Sequence, residues 1–271
     1  MEYRTYEPCD DLSALIKCYW SLEGPAAERP ERQTIVPDGC MEMIFHYGDA
    51  YRQHMDTGDS IIQPLCFVIG QLTRPLEIEP TGRTGIFSVR FLPHGFFPFT
   101  SVPLRTMENT AIPLEELFGP SGREFGQRVI AAGSTMERIR MTEQFLLQQL
   151  TDQVTIDRIV ASTVGTIMTV NGTMSVAELS DRSKVSRRQL ERRFASVIGL
   201  SPKQLSKTVR LQAALTMVLS GTSPNLTAVA HESEYFDQAH FAKDFKELTG
   251  VTPKEFYGNN VQLSSLFYGP E

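Results

Sequence analysis

The sequence is short of cysteine, tryptophan and long apolar runs, and it lacks the common catalytic signatures. Four cysteines, Cys9, Cys18, Cys40 and Cys66, all fall in the first quarter of 271 residues and form no CxxC pair. That excludes the disulfide-dense class and paired zinc ligation, and leaves reduced, partly buried thiols as the expectation. No run approaches the roughly eighteen apolar residues of a membrane span. The opening MEYRTYEPCDDL lacks the positive-then-apolar plan of a secretory signal, so a cytoplasmic protein without membrane contact is expected. There is no GxSxG, no P-loop and no GxGxxG. His46, His54 and His94 are scattered, and no HxH pair exists. A catalytic metal in a small barrel would want such a cluster, so no metal, no other cofactor and no enzymatic activity are expected.

Positive charge is also scarce overall, with 26 Lys+Arg against 32 Asp+Glu and a net charge of −6. The deficit is uneven. Residues 1 to 167 carry 14 basic and 22 acidic groups, net −8, whereas residues 168 to 258 carry 12 and 9, net +3. The acidic part is therefore not a surface for DNA, while the later part can be. The length suggests two domains, and 41% hydrophobic content is enough for a core in each.

What the chain does have is an internal repeat. Val176 to Leu205 reads VAELSDRSKVSRRQLERRFASVIGLSPKQL, and Leu226 to Phe256 reads LTAVAHESEYFDQAHFAKDFKELTGVTPKEF. The offset is 50 from Ser183 to Ser233 and 51 from Phe194 to Phe245, so one residue is inserted at Tyr235–Phe236. Each copy reads as a short helix, a tight turn and a second helix. Ser175 with Glu178, and Ser186 with Gln189, have capping-box spacing, and Val185 with Leu190 are placed as a hydrophobic staple. Leu190, Phe194, Val197 and Ile198 make one apolar stripe, and Gly199 ends it. In the second copy Phe236 and Phe241 flank the cap Asp237, Phe241, Phe245 and Leu248 form the stripe, and Gly250 ends it.

Burying those stripes exposes the opposite faces. In the first copy that face holds Arg187, Arg188, Glu191 and Arg192, with Arg193 at its margin. Arginine pairs bidentately with guanine and also binds phosphate. The second copy offers Gln238, His240 and Lys243, with small Ala239 and Ala242 between them. Glutamine can address adenine, and an alanine methyl can meet that of thymine. Most charge runs are merely solvated faces; the repeated, capped helix pair argues otherwise here. Between the copies, Pro202 to Leu219 reads as a helix of about 27 Å, comparable with the roughly 34 Å turn of B-DNA. Lys207 and Arg210 on it are phosphate candidates, as is Lys246 on the last long helix.

Residues 156 to 258 resemble the C-terminal DNA-binding domain of the AraC/XylS transcription regulators. The resemblance is carried by SRRQLERRF, by the joining helix and above all by YFDQAHFAKDFKELTGVTPKEF. It implies two helix-turn-helix units that read adjacent major grooves of double-stranded DNA. The base-reading positions it implies are Arg188, Glu191, Arg192, Gln238, Ala239, His240 and Lys243. It also implies RNA polymerase as a partner if the protein activates. One departure stands out: the family often has Gly before the aromatic of the second turn, where this chain has Glu234.

The first 110 residues read as strands. Arg32 to Val36 leads into a Pro37-Asp38-Gly39 turn, and Met41 to Tyr47 alternates. Met41, Met43, Phe45 and Tyr47 share one face; Glu42, Ile44 and His46 share the other. Leu65 to Gly70, Leu76 to Glu79 and Gly85 to Leu92 follow, with Phe87, Val89 and Phe91 opposite Ser88 and Arg90. Residues 50 to 60 read as a polar, turn-rich loop. This suits a small β-barrel or sandwich. A small-molecule pocket inside it would be lined by Trp20, Met43, Phe45, Phe87 and Phe91, with Arg74 or Arg90 at its mouth; the alternative is that these aromatics are only core. Through CYW at 18 to 20, VPDGCMEMIF at 36 to 45, and GQLTRPL and VRFLPHG, the region also resembles the N-terminal domain of a subset of AraC-type regulators, which implies a cupin-like sensory domain.

Residues 113 to 153 turn helical: one short turn over PLEELF, then an antiparallel pair joined at Gly133-Ser134. Met136, Met141, Phe145 and Leu150 give the second helix more apolar surface than one stripe needs, which suits packing on the barrel and on a second subunit; the alternative is a helix packed only within its own chain, and the family resemblance favours the homodimer. The fold class is α+β in two domains. A cupin-like part spans 1–153, with the barrel over about 1–112 and helices over about 113–153. A double helix-turn-helix part spans 154–258, a tail spans 259–271, and the hinge falls at 150–155. A regulator results. Two alternatives are an N-terminal domain that only dimerises or binds protein, and a metal-dependent cupin-like enzyme with a DNA anchor.

Overall fold

The computed structural model describes residues 1–150, 156–220, 226–235 and 237–258. Period-two segments at the start of the chain build two antiparallel sheets. The larger runs in the order β1 (Glu2–Tyr6), β2 (Ile16–Gly24), β9 (Thr84–Phe91), β4 (Glu42–His46), β7 (Cys66–Ile69), β10 (Ala111–Pro113). The smaller runs β3 (Gln33–Ile35), β8 (Leu76–Pro80), β5 (Tyr51–His54), β6 (Ser60–Ile62). The stretch read as a loop thus contains a hairpin, with Arg52 opposite Ile62 and His54 opposite Ser60. Its backbone pairs with β8 despite its polar sequence, because the ladder needs only N–H and C=O groups.

Register decides which face does what. Met43 pairs with Val89 and Phe45 with Phe87, and all four are fully buried. Their face is covered by α1 (Leu114–Ala131) and α2 (Thr135–Gln149). Phe125 of α1 meets Phe45 edge-on at 5.5 Å and stacks on Phe145 of α2 at 4.0 Å. Each such aromatic contributes about 1.5–3 kcal/mol by burial. The expected short turn and first long helix run on as one element, kinked at Gly119, whose φ of 62° precedes Pro120. The other face, with Trp20, Leu22 and Ile86, looks toward the smaller sheet and Tyr51.

The remaining helices are α3 (Arg158–Thr169), α4 (Val176–Ser183), α5 (Arg187–Val197), α6 (Pro202–Leu219), α7 (Leu226–Glu232), α8 (Gln238–Thr249) and α9 (Pro253–Gly258). Two cores form along α6. Its first half gives Leu205 and Val209 to a cluster with Leu179, Leu190 and Phe194. Its second half gives Leu211 and Leu215 to a cluster with Val229, Phe241 and Phe245. One rigid helix therefore belongs to both helix-turn-helix units.

The two halves touch through the loop after β3. Val36 is buried in the second helical cluster, and Gln212 of α6 donates to the Pro37 carbonyl at 2.6 Å. Gly39 has φ +80°, and a Cβ there would lie 2.6 Å from Leu205 Cδ1, so the contact leaves no space for a side chain. Among the described residues, no helix is long and apolar enough to cross a membrane. Of the expected hinge at 150–155, all but Leu150 lies outside the described residues, as does the tail at 259–271.

Candidate nucleic-acid interface and effector cavity

The repeat seen in the sequence is a repeat of hydrogen bonds. After α4, the Lys184 N–H donates to Asp181 O and that of Val185 to Ser180 O. After α7, Glu234 donates to His231 O and Tyr235 to Ala230 O. Every partner is shifted by 50, and Lys184 and Glu234 both have φ of 54°. The glutamate that stands where glycine was expected thus adopts the left-handed conformation, as the lysine does in the first copy. Two L-residues accept that strain because each turn satisfies its last helical carbonyls.

Entry into each second helix is fixed by a cap. Ser186 and Gln189 form the reciprocal box, and Ser175 with Glu178 form another. Hydrogen bonding by Ser175 holds the Glu178 carboxyl below its ordinary range. Asp237 caps α8 by accepting from the His240 N–H at 2.7 Å. Phe236, expected as a staple, lies outside the described residues; Tyr235 meets Phe241 edge-on at 5.2 Å. Capping boxes recur at Ser201–Gln204 and, with the same bonds, at Thr252–Glu255.

With Leu190, Phe194, Phe241 and Phe245 inside, the expected reading face lies outside. Arg187, Arg188, Glu191 and Arg192 are exposed on α5, and Gln238, Ala239, His240, Lys243 and Lys246 on α8. His240 also lies 3.5 Å from Asp244 and edge-on to Tyr235 at 5.4 Å.

Three of the expected phosphate contacts have partners within the protein. Arg193 is half-buried and binds Asp157, the cap of α3, at 2.6 Å. Lys207 bridges Asp244 at 3.2 Å and Glu247 at 2.7 Å, tying α6 to α8. Arg210 donates to the Gly172 carbonyl at 3.1 Å and sits 5.2 Å from the Tyr235 ring centre. Each is engaged inside the protein because α6 and the rear of α5 face neighbouring helices, which sequence spacing alone did not reveal.

The N-terminal cavity lies between the two sheets, on the face opposite to the one expected. Met43, Phe45, Phe87 and Phe91 belong to the core beneath α1 and α2. Arg74 stands apart, paired with Asp56. Trp20 and Arg90 do line the cavity, with Asp38, Glu42, His46, Tyr51 and Gln63. Its volume is about 70 Å³. The missed residues carried a signal: Glu42 and His46 occupy inward positions of a strand otherwise built of apolar residues.

Polar chemistry gathers at both ends of this cavity. Arg90 pairs with Asp38 and lies 3.5 Å from Glu42, which accepts from Ser88 Oγ at 3.0 Å. Burial pushes the Glu42 carboxyl up, and Arg90 opposes that shift. At the other end burial pulls His46 down to about 4, against a smaller raising effect from Gln63. The four cysteines are free thiols, and burial pushes Cys40 and Cys66 up to about 12, far from reactive thiolates.

Comparisons with known proteins divide along the same line as the fold. Residues 4–113 match a domain of unknown function, DUF6597, and residues 179–258 match a helix-turn-helix domain. The HTH-type transcriptional regulator GbdR of Pseudomonas aeruginosa is 31% identical over 160 residues, covering 55% of this chain and 42% of that protein. An uncharacterized HTH-type transcriptional regulator of Haemophilus influenzae is 33% identical over 88 residues, 32% of this chain and 29% of its own length. The chain thus spans well under half the length of these relatives. Among solved structures, ToxT from Vibrio cholerae aligns over 91% of this chain and 99% of its own, with 11% identity and a TM-score of 0.47. Two helix-turn-helix units with one hydrogen-bond pattern, joined by a shared helix, agree with the helix-turn-helix domain matched at residues 179–258 and with relatives named HTH-type transcriptional regulators.

Proposed function

We propose that the protein is a sequence-specific DNA-binding transcription regulator whose α5 and α8 enter adjacent major grooves. The observation that carries this reading is the pair of capped turns with matching hydrogen bonds that leaves one polar face of each second helix exposed. Arg188 and Arg192 address guanine, and Glu191 accepts from cytosine or orients its arginine neighbours. Gln238 addresses adenine, Ala239 meets a thymine methyl, and His240 and Lys243 complete the second set. Arg187 and Lys246 are the phosphate contacts that remain. Residues 1–153 form the sensory part and 154–258 the DNA-binding part. The cavity is the effector site, and its signal travels through Val36 to Gly39, which touch both the cavity and α6. A second copy joins through α2, where Met136 and Leu147 are exposed; a monomeric mass in light scattering at high protein concentration overturns this.

The test is capture of genomic fragments by the purified protein beside an Arg188→Ala/Arg192→Ala double variant. A recurrent site with two blocks about one helical turn apart, lost in the variant, is expected. Capture without a shared motif, or capture unchanged by the substitutions, overturns the assignment of base reading to α5.

A further inference from the structure

The two ends of the cavity specify what it binds. At one end Asp38 and Glu42 both face the Arg90 guanidinium. Two carboxyls against one guanidinium leave one negative charge uncompensated when both are ionised. A ligand carboxylate would meet the Asp38 carboxylate, the Glu42 carboxyl and an arginine already held on both sides, whereas a ligand cation favours the ionised form of Glu42 that burial disfavours. A cation is favoured there.

The other end presents a bare acceptor. His46 is 2% exposed, and its Nδ1 has no hydrogen-bond partner among the described residues. Its tautomer follows from a chain of neighbours. The Gln53 amide nitrogen faces Met55 Sδ at 3.6 Å, and sulfur only accepts. Gln53 Oε1 therefore receives the Gln63 amide N–H at 3.4 Å. Gln63 Oε1 is left to accept from His46 Nε2 at 3.3 Å. The proton sits on Nε2, so Nδ1 carries a lone pair with nothing to receive. A buried acceptor in that state has lost its hydration without a replacement, and a ligand donor removes that cost.

Glu42 and His46 are separated by one strand turn on each side of Ile44, about 13 Å between their backbones at 3.3 Å per residue. Trp20, Tyr51 and Phe67 wall the space between. Resting on the reading of this cavity as the effector site, we propose that the ligand is a short aliphatic amine bearing a second N–H or O–H donor. Its ammonium group lies by Glu42 and Asp38, its apolar middle against the aromatic walls, and its far donor on His46 Nδ1. Amino alcohols and diamines share this chemistry; fatty acids and other anions do not.

The test is calorimetric titration of the full chain, without DNA, with 5-amino-1-pentanol, 1,5-diaminopentane, pentylamine and 5-hydroxypentanoate. Either of the first two is expected to bind at least tenfold tighter than pentylamine, and the hydroxy acid weakest. Asp38→Asn and Glu42→Gln each weaken the cations; if the buried Glu42 variant fails to fold, Asp38→Asn carries this arm. His46→Leu removes the advantage of the second donor over pentylamine. Equal or tighter binding of the hydroxy acid overturns the cation assignment while the cavity reading stands. Binding of none of the four at millimolar concentration overturns both. Neither result bears on base reading by α5 and α8, which DNA capture tests separately.

Discussion

His46 makes the N-terminal half sensitive to acid, and the size of the effect can be worked from its surroundings. Burial pulls the imidazole from 6.5 down to about 4, and the ring is stacked on Tyr51 at 5.5 Å and near Phe67 at 5.8 Å. The folded state resists a proton that the unfolded chain accepts near pH 6.5. Stability is therefore full above that value and is lost as pH falls toward 4. The shift corresponds to about 3 kcal/mol once pH is below both values, and to about 2 kcal/mol at pH 5. A proton titration of the His46 ring by NMR reads the value directly. Urea denaturation at pH 7 and pH 5 reads its consequence, with His46→Gln as the control that cannot titrate. The variant is expected to lose about 2 kcal/mol less than the wild type between those two values. An imidazole titrating near 6.5, or a variant as acid-sensitive as the wild type, would refute the burial argument.

Three further outcomes follow from the helical half. Arg192→Ala is expected to cost about 1–3 kcal/mol at a single base position in a binding-site selection; an equal loss on specific and random DNA reduces it to a phosphate contact. Lys207→Ala is expected to lower folding stability by about 1 kcal/mol, because it releases α8 from α6, and to leave the salt slope of DNA binding unchanged. A slope smaller by about one would put Lys207 back on the phosphates. Glu234→Gly is expected to raise stability by roughly 0.5–1 kcal/mol, since glycine relieves the left-handed strain but is freer when unfolded; a lower melting temperature would count against the strain.

Local chemistry was legible wherever it repeats along the chain. Ser186 with Gln189, Ser175 with Glu178 and the stripe through Phe194 are short-range patterns, and the helices begin, turn and end where those patterns say. Glu234 was the one apparent obstacle, and it takes the same turn as Lys184. Strand alternation was equally legible in β4 and β9: the two faces were separated correctly. Which face would be covered was not. Period two sorts Met43 and Phe45 from Glu42 and His46, but whether helices or a second sheet arrive on either side is a property of the packing. The aromatic face drew α1 and α2, and the mixed face was left around the cavity.

The cationic residues teach the same lesson. Arg193, Lys207 and Arg210 look like surface charges in one dimension, and only the assembled helices supply Asp157, Asp244 and the Gly172 carbonyl as their partners. The contact of Val36, Pro37 and Gly39 with α6 joins residues some 170 positions apart in sequence, with Gln212 reaching Pro37 over a separation of 175. By itself the sequence determined the repeated helix pairs, their caps and the polar face each leaves uncovered, because those depend on neighbours three or four residues away. The cavity, the pairing of its charges and the bridge to α6 were decided by tertiary structure alone, because each depends on which distant surfaces meet.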